Sequence, residues 1–344
     1  MEKEKVAILS KMFEGWCGCE PQQISFLPQS GSYRSYCRML SGSFSALGAW
    51  NREVRENVAF LSFTKSFRKE GLSVPEIFDE DIAEGVYLLE DFGTHTLFDL
   101  VKGRPFNEEL KNIYKKCLIG LEDLQIKGKD CIDYRKCYPR AAFDFDSMMW
   151  DLNYFKYYFL KLVRIPFDEQ ALENDFRLLT TYLIKERSDY FLFRDFQSSN
   201  ILVYKEEPYF IDYQGGRRGA LQYDPASLLF DAKARIPKEF RKELIEFYVE
   251  ALSERIDIDK CNFMSYYQGF VLIRLMQAMG AFGFRGIVEK KPGFMESIPP
   301  ALGMFADILD EWSLPVEIPE LKACFNRMLQ SDHLKNLLSS TLSL

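Results

Sequence analysis

The sequence has very few histidines and no excess of basic residues. Only His95 and His333 occur, which excludes a histidine-rich metal centre and leaves few ways to build a hydrolase that uses a histidine base. We therefore expect a carboxylate to carry out any general-base chemistry. The net charge is −7, which argues against nucleic acid as the main partner, because phosphate backbones require clustered Lys and Arg.

Long apolar runs and paired metal-type cysteines are also lacking. No segment approaches the roughly 20 apolar residues of a membrane span, and the apolar run after the charged N-terminus is too short for a signal peptide. None of the eight cysteines forms a CxxC pair, and Cys17-Gly18-Cys19 has no partner pair at zinc-site spacing. We predict a cytoplasmic protein with no membrane partner, whose cysteines are reduced and packed as small apolar residues.

The pattern of apolar residues changes character after about residue 90. The length of the chain favours two lobes. The first part is typical of three strands, a helix and a further strand, near 24–27, 33–40, 43–50, 51–69 and 86–89, after an initial helix over 1–15. The remainder is mainly helical, near 107–125, 146–162, 168–187, 238–254 and 262–280, with one pair of short strands over 201–204 and 209–212. This order predicts an α+β fold with a β-rich first lobe and a helical second lobe.

One constellation of residues carries recognisable chemistry. Asp195 lies five positions before Asn200, which opens a short strand, and Asp212 ends the next strand. Amide and carboxylate oxygens are the hard ligands that Mg²⁺ prefers, and an aspartate on the preceding loop suits the orientation and deprotonation of an attacking hydroxyl. An Asp-x4-Asn pair alone arises often by chance, and aspartate is an ordinary turn residue. The conjunction with a hairpin and a second aspartate favours phosphoryl transfer.

In these residues the chain resembles the aminoglycoside phosphotransferase and choline kinase-like branch of the protein-kinase fold. That family's catalytic loop reads roughly His-Gly-Asp-x4-Asn and is followed by a strand and Ile-Asp. The strings over 195–200 and 211–216 are similar in particular to bacterial kinases that phosphorylate N-acetylmuramate or N-acetylglucosamine at the anomeric hydroxyl. The resemblance implies a bilobal fold, with an N-lobe over 1–92 and a C-lobe over 93–344.

The resemblance also implies roles for single residues. Asp195 would be the catalytic base, and Asn200 and Asp212 would be the metal ligands, with ATP and Mg²⁺ as cofactors. Asp224, in the segment Tyr223-Asp224-Pro225, resembles the family's aspartate that braces the catalytic loop.

The sequence gives weaker signals for the nucleotide-binding part of the site. Neither GxxxxGK[ST] nor a full GxGxxG motif occurs, so a Walker-type phosphate loop is not expected. Gly31 and Ser32 lie between the first two strands, where a kinase-like fold places its phosphate-covering loop, although a plain hairpin turn accounts for them equally well. Glu90 and Phe92 fall at the expected hinge between the lobes, where backbone groups would meet the adenine.

The family's usual third-strand lysine is missing. It should fall within 43–50, and that stretch contains no lysine. Arg34, Arg38 or Arg52 would then contact the phosphates, and Glu56 on the following helix would pair with one of them or with solvent. This gap keeps a nucleotide-binding pseudokinase open as an alternative.

Three polar residues near the predicted metal site are candidates for binding the second substrate. They are Gln197, Arg217 and Arg218, and the two guanidinium groups suit a carboxylate or phosphate. A solvated basic loop is the alternative. We predict an ATP-dependent kinase that acts on a hydroxyl of a small molecule, with a sugar or amino sugar favoured over an aminoglycoside or choline. The oligomeric state is left open.

Overall fold

The N-terminal part of the protein is a five-stranded antiparallel sheet with a helix on each face. The computed structural model describes residues 2–28 and 34–342. The strand order is β1-β2-β3-β5-β4. The strands and helices of this part are α1 (Glu2–Cys17), β1 (Gln23–Phe26), β2 (Ser35–Ser41), β3 (Phe44–Trp50), α2 (Val54–Lys69), β4 (Ile77–Asp81) and β5 (Val86–Glu90).

The remainder is mainly helical, as the apolar pattern predicts. Two small antiparallel sheets pair β6 with β9 and β7 with β8. The elements are α3 (Leu97–Val101), α4 (Glu108–Cys131), α5 (Phe145–Phe155), α6 (Glu169–Leu183), β6 (Tyr190–Leu192), β7 (Ile201–Tyr204), β8 (Glu207–Phe210), β9 (Arg217–Gly219), α7 (Tyr223–Leu229), α8 (Lys238–Arg255), α9 (Lys260–Phe282), α10 (Ile298–Glu311), α11 (Pro319–Gln330) and α12 (Asp332–Leu342). The α+β architecture predicted from the sequence is confirmed.

Helices α1 and α2 cover opposite faces of the first sheet. Leu9 and Phe13 of α1, one helical turn apart, pack with Cys37 and Leu88 in a small core on one face. Alternate strand residues point to the other face, where Tyr87 stacks on Phe60 of α2 at 5.3 Å between ring centroids. The face of the sheet under α2 therefore belongs to the main core, while the face under α1 has a small core of its own.

Helix α2 also connects the sheet to the helical part. The ring of Phe60 stacks on Tyr213 at 5.1 Å, and Phe67 meets Phe191 edge-on at 5.1 Å. The buried hydroxyl of Tyr213 lies 2.6 Å from that of Thr64, which in turn donates to the Phe60 carbonyl. These contacts fix α2 beside the residue that follows Asp212.

Helix α9 is the central helix of the helical part. The stretch Lys260–Val288, which is α9 and the wider helical turn after it, is long and apolar enough to span a membrane by length and composition, and 61% of its apolar window is buried inside the protein. It packs against α5 and α7. The expectation that no segment approaches the length of a membrane span is corrected on this point.

Some elements differ from those that the sequence predicts. Strand β4 was not predicted, because its residues Ile-Phe-Asp-Glu-Asp are mostly acidic; the strand lies at the edge of the sheet, where charged residues are tolerated and discourage further pairing. Helix α3 is five residues long and too short to show a period. The predicted cap of α4 is present, since Asn107 Oδ1 accepts a hydrogen bond from Leu110 N at 3.0 Å.

Candidate active site

A two-stranded hairpin places the predicted metal ligands side by side. Strand β7 pairs with β8 from Ile201 opposite Phe210 to the turn of Lys205 and Glu206. Asn200 directly precedes β7, and the backbone N–H that follows β8 donates to the Asn200 carbonyl at 3.1 Å. Asp212 lies two residues beyond β8, because the strand predicted over 209–212 begins and ends two residues earlier. Both side chains emerge at the same edge of the hairpin.

The Asn200 side chain is oriented by the loop before it. Its Nδ2 donates to the backbone carbonyl of Asp195 at 2.9 Å and lies 3.5 Å from Asp212 Oδ2. Because the amide nitrogen is engaged, the amide oxygen is the atom that could accept a hydrogen bond or bind a metal ion. Asn200 is buried, which restricts the amide to this orientation.

Asp212 sits in a strained backbone conformation. Its φ of 69° lies in the left-handed region, which non-glycine residues rarely adopt and which is often found at functional sites. Gln214 Nε2 donates to Oδ1 at 2.8 Å, and the side chain is 38% exposed. The carboxylate is thus partly exposed, with Oδ1 bonded to Gln214 and Oδ2 toward Asn200.

Two protein oxygens suit a magnesium ion that also binds phosphate. Mg²⁺ usually takes one or two protein oxygens and completes its octahedron with water and phosphate oxygens. Asn200 and Asp212 provide that number. Within residues 2–28 and 34–342, no group of three or more His, Cys, Asp or Glu side chains forms a metal site of another kind.

Asp224 holds the loop that carries Asp195. The backbone N–H groups of Phe193 and Arg194 donate to its two carboxylate oxygens at 2.7 and 3.0 Å. The Asp224 side chain is fully buried, and burial raises its pKa to about 7 against the opposing effect of these donors. This is the contact that the family resemblance implies for Asp224. Gln125 of α4, which the sequence did not single out, also donates to Asp224 at 3.3 Å.

Arg194 fixes the same loop from the other side. Its guanidinium makes two hydrogen bonds to the Asp151 carboxylate at 2.6 and 2.7 Å, and a third to the Tyr223 hydroxyl at 2.6 Å. The φ of Arg194 is 83°, again in the left-handed region. Asp151 was missed in the sequence because it lies on α5, 43 residues before Arg194, and no local motif surrounds it.

Arg34 is the arginine that pairs with Glu56. Its Nη2 lies 3.6 Å from Glu56 Oε2, and its Nη1 lies 3.6 Å from Asp212 Oδ1. The side chain is 1% exposed and lies over the ring of Phe60. Asn51 donates a hydrogen bond to the same Glu56 oxygen at 2.9 Å. A buried cation therefore connects Glu56 of α2 to Asp212.

The third strand leaves room for this arginine. Ala49 lies on the face of β3 that is under α2, and its side chain is fully buried. It pairs with Tyr36, two residues after Arg34. Its small side chain stands in the stretch where the family lysine was expected. Arg38 is committed elsewhere, because its guanidinium binds the hinge carboxylate of Asp91 at 2.6 and 2.8 Å.

The two predicted hinge residues make different contacts within the protein, and their nucleotide-binding role stays a prediction. The Glu90 carboxylate accepts a hydrogen bond from Glu76 N at 3.1 Å, and Phe92 stacks on Tyr209 with 3.8 Å between ring centroids. Phe92 thereby holds the hinge against the β7–β8 hairpin. Gly31 and Ser32 lie outside the described residues, and their role stays a prediction.

The two arginines of β9 point in opposite directions, because strand residues alternate between faces. Arg217 is buried, and its Nε donates to the Gly215 carbonyl at 3.0 Å. Burial, and then the nearby Arg194, lower the pKa of Arg217 to about 10. Arg218 is exposed and lies over the ring of Tyr134 at 4.5 Å. Arg217 is thus buried and Arg218 exposed, and the role of both in binding the second substrate stays a prediction.

Gln197 lies within the catalytic loop itself. Its backbone N–H donates to the Asp195 carbonyl, and its own carbonyl accepts from the Asn200 N–H, both at 2.9 Å. These bonds close the turn between Asp195 and Asn200. The half-buried side chain makes no hydrogen bond in the described part of the chain, and its substrate role stays a prediction.

Comparison with characterised proteins yields related sequences. No family model matches the chain. It is 23% identical over 231 residues to the N-acetylmuramate/N-acetylglucosamine kinase of Pseudomonas aeruginosa, a match that covers 65% of this chain and 64% of the relative. The chain thus matches slightly less than two thirds of that relative's length. The kinase of the same name from Caulobacter vibrioides is 23% identical over 278 residues, with 78% of this chain and 74% of the relative covered.

Solved structures resemble the whole fold. Amicoumacin kinase hAmiN, in a complex with AMP-PNP, matches with a TM-score of 0.62 and 14% identity over 93% of this chain and all of the other. Choline kinase LicA from Streptococcus pneumoniae matches with a TM-score of 0.57 and 12% identity, covering 87% and 99%. ADP-bound aminoglycoside phosphotransferase APH(2'')-Ib gives 0.59 and 14%, covering 88% and 97%. The chain therefore has the protein-kinase-like fold of choline kinases and aminoglycoside phosphotransferases, as its motifs predict.

Proposed function

We propose that this protein is a kinase that uses ATP and Mg²⁺ to phosphorylate a hydroxyl group of a sugar or amino sugar. The observation that carries the proposal is the convergence on one carboxylate. Asn200 approaches Asp212 from the C-lobe, and Arg34, held by Glu56, approaches it from the N-lobe. A site that gathers metal-ligand oxygens and a buried cation at one point suits the phosphates of a nucleotide.

The residues divide the work of in-line phosphoryl transfer. Asn200 and Asp212 would hold Mg²⁺, which neutralises charge on the phosphate oxygens when it is bound. Arg34 would donate hydrogen bonds to the same phosphates, since a guanidinium can bind two oxygens at once. Asp195, on a loop fixed by Asp224, orients the acceptor hydroxyl and takes its proton.

Two features support a sugar as the acceptor. The curated relatives are named for N-acetylmuramate and N-acetylglucosamine. In this chain the buried guanidinium of Arg217 lies close enough to Asp195 for the two charges to interact. A buried cation disfavours polycationic or quaternary ammonium acceptors and suits a neutral or anionic sugar.

The pseudokinase alternative rests on the missing third-strand lysine. The contacts of Arg34 with Glu56 and Asp212 give the site a cation from the residue before β2, which supports the active enzyme. We therefore place the active kinase first and leave the pseudokinase as an outcome of the test.

The proposal is tested by measuring ADP release with Mg-ATP and four acceptors: N-acetylglucosamine, N-acetylmuramate, kanamycin and choline. We expect turnover with an N-acetylated sugar, and a loss of about 10²–10⁴-fold in kcat for Asp195→Asn, because positioned proton transfer contributes that much. Asp257→Asn, at an exposed aspartate, is the matched control and should keep full turnover.

Two results would count against the proposal. Undiminished turnover in Asp195→Asn would remove the assigned base. Stabilisation by Mg-ATP in thermal unfolding, without turnover of any acceptor, would favour the pseudokinase.

A further inference from the structure

A cavity of about 640 Å³ lies beside the catalytic loop and is lined by cations. It is formed by the segment after α3, the segment after α7 and the turn before α10. Lys102, Arg104, Lys233 and Arg235 line it, with Glu296 as the one carboxylate among the described residues of the lining. Its volume falls in the range of about 300–1,000 Å³ that small-molecule sites occupy.

These four cations differ from most lysines and arginines of the protein in their surroundings. Within residues 2–28 and 34–342, none of the four forms an ion pair with a carboxylate. By contrast, Lys111 in the first turn of α4 binds Glu243 at 2.6 Å. Lys233 is half-buried over the ring of Phe294 at 4.9 Å. In a protein of net charge −7, four like charges gathered around one cavity repel each other unless an anion compensates them.

The backbone around the cavity is specialised to form it. Arg235 has a φ of 51°, a left-handed conformation that a non-glycine residue adopts only when its surroundings impose it. Gly103 and Gly293, with φ of 71° and 81°, turn the chain on two other sides. Ala232 and Ala234 are buried and small, and leave the space between the cations open.

The cavity is separate from the catalytic residues but bonded to their loop. None of Asp195, Asn200 and Asp212 lines it. Asp231, which opens the segment with Lys233, accepts hydrogen bonds from Ser198 N at 3.1 Å and Ser198 Oγ at 2.5 Å. Its other oxygen accepts from Lys233 N at 3.0 Å. One carboxylate thus joins a wall of the cavity to the turn between Asp195 and Asn200.

We propose that this cavity binds a small organic phosphate with at least two negative charges, and that its occupancy reaches the catalytic loop through Asp231. Two guanidinium forks and two ammonium groups match the oxygens of a phosphate, which accepts paired hydrogen bonds from arginine. Glu296 alone balances only one of the four positive charges. A sugar phosphate and a nucleotide share this chemistry, and the probes below separate them.

The test is calorimetric binding to the whole 344-residue chain. The probes are pyrophosphate, glucose 6-phosphate, ADP without metal, and citrate as a carboxylate of similar charge. We expect Lys102→Ala/Arg104→Ala to weaken binding of the phosphate probes at least tenfold, because two of the four charges are lost; both side chains are exposed. Lys11→Ala, at an exposed lysine of α1, should bind as the wild type does.

An active-site variant separates this inference from the proposed kinase activity. Asp212→Asn should bind the probes as tightly as the wild type if they occupy the cavity. If Asp212→Asn alters binding and Lys102→Ala/Arg104→Ala does not, the phosphate sits at the nucleotide site, and the cavity proposal fails while the proposed function stands.

Three further outcomes are decisive. Among probes whose binding is weakened in Lys102→Ala/Arg104→Ala and unchanged in Asp212→Asn, tighter binding of glucose 6-phosphate than of ADP assigns a sugar phosphate, and the reverse order assigns a nucleotide. Equal binding of citrate, or no binding of any probe, overturns the proposal. In the kinase assay, the probe that binds should change kcat of the wild type and leave kcat of Lys102→Ala/Arg104→Ala unaffected; an equal effect on both proteins would overturn the coupling.

Discussion

The two halves of the candidate site are built in different ways. The half in the C-lobe comes from one continuous stretch, where a tight loop, a hairpin and a short helix bring Asp195, Asn200, Asp212 and Asp224 together. The half in the N-lobe is assembled from separate elements, because Arg34 precedes β2, Glu56 lies on α2, and the two meet at 3.6 Å. The first half depends on local spacing, and the second depends on tertiary packing.

This difference indicates which functional groups of the site could be supplied from another position in the chain. A metal ligand must present its oxygen with a fixed direction, and the strained φ of Asp212 and the hydrogen-bonded amide of Asn200 provide this direction from the local backbone. A phosphate-binding cation needs only to place its charge and donors near the same point. We therefore expect substitutions in the C-lobe half to cause large losses of activity that no second substitution restores. In the N-lobe half, we expect a cation at a different position to restore activity.

The largest effect is expected at Asp212. Asp212→Asn removes the charge of the proposed metal ligand, and we expect kcat to fall by about 10³-fold, as for other losses of preorganised charge at a transition state. Steady-state ADP release at saturating Mg²⁺ measures it. Gln214→Ala, which loses only the hydrogen bond to Asp212, is the control and should lose far less. Equal losses in both would mean that Asp212 acts through folding and not through its charge.

The second prediction tests whether the phosphate-binding cation, Arg34, can be replaced by a cation at another position. Arg34→Ala should lower kcat/KM by about 10²-fold, because one charged donor to the phosphates is lost. Adding Ala49→Lys to Arg34→Ala returns a cation to the cleft face from β3, the strand where the family carries its lysine. We expect the double variant to recover at least tenfold over Arg34→Ala. If the double variant has normal thermal stability but does not recover, phosphate binding requires a guanidinium at position 34.

The third prediction concerns pH and Asp224. Burial raises its pKa to about 7, so between about pH 4 and 7 the folded protein keeps a proton that the unfolded chain releases. The contribution of this group to stability is therefore greatest at low pH and falls as pH rises through that window. We expect the free energy of unfolding of the wild type to fall by about 2 kcal/mol relative to Asp224→Asn between pH 5 and pH 7. Urea unfolding at a series of pH values measures the difference, and a constant difference would contradict the prediction.

The smallest effect is expected at the contact between the halves. Tyr213→Phe removes the hydroxyl that meets Thr64, while Thr64 keeps its bond to the Phe60 carbonyl. We expect a loss of about 1 kcal/mol in the free energy of unfolding, typical of one buried hydrogen bond. Tyr204→Phe, at an exposed tyrosine, should change it by less than about 0.5 kcal/mol. A loss above about 3 kcal/mol in Tyr213→Phe would mean that the hydroxyl supports more than this one bond.

The sequence predicts the C-lobe half well because its geometry follows from spacing. Short distances along the chain fix the hairpin, so the order of residues alone is enough to place Asn200 and Asp212 together. Arg34 could be proposed only as one of three arginines, since its partner Glu56 lies across the sheet and pairing between strands decides which arginine reaches it. Asp151 and Gln125 were not found, because their contacts join helices to segments far apart in the chain and leave no local pattern.

The burial of Arg34 has a practical consequence for chemical probes. Burial opposes the charge of its guanidinium, but Tyr87, Tyr36 and Asp212 outweigh that effect and raise its pKa above the usual value. Such a group stays protonated and is not a nucleophile at any pH at which the protein is folded. Nucleotide-derived reagents that acylate the lysine of a kinase cleft would find no amine at this position. Labelling at the third-strand position would therefore be absent from this protein, because residues 43–50 contain no lysine.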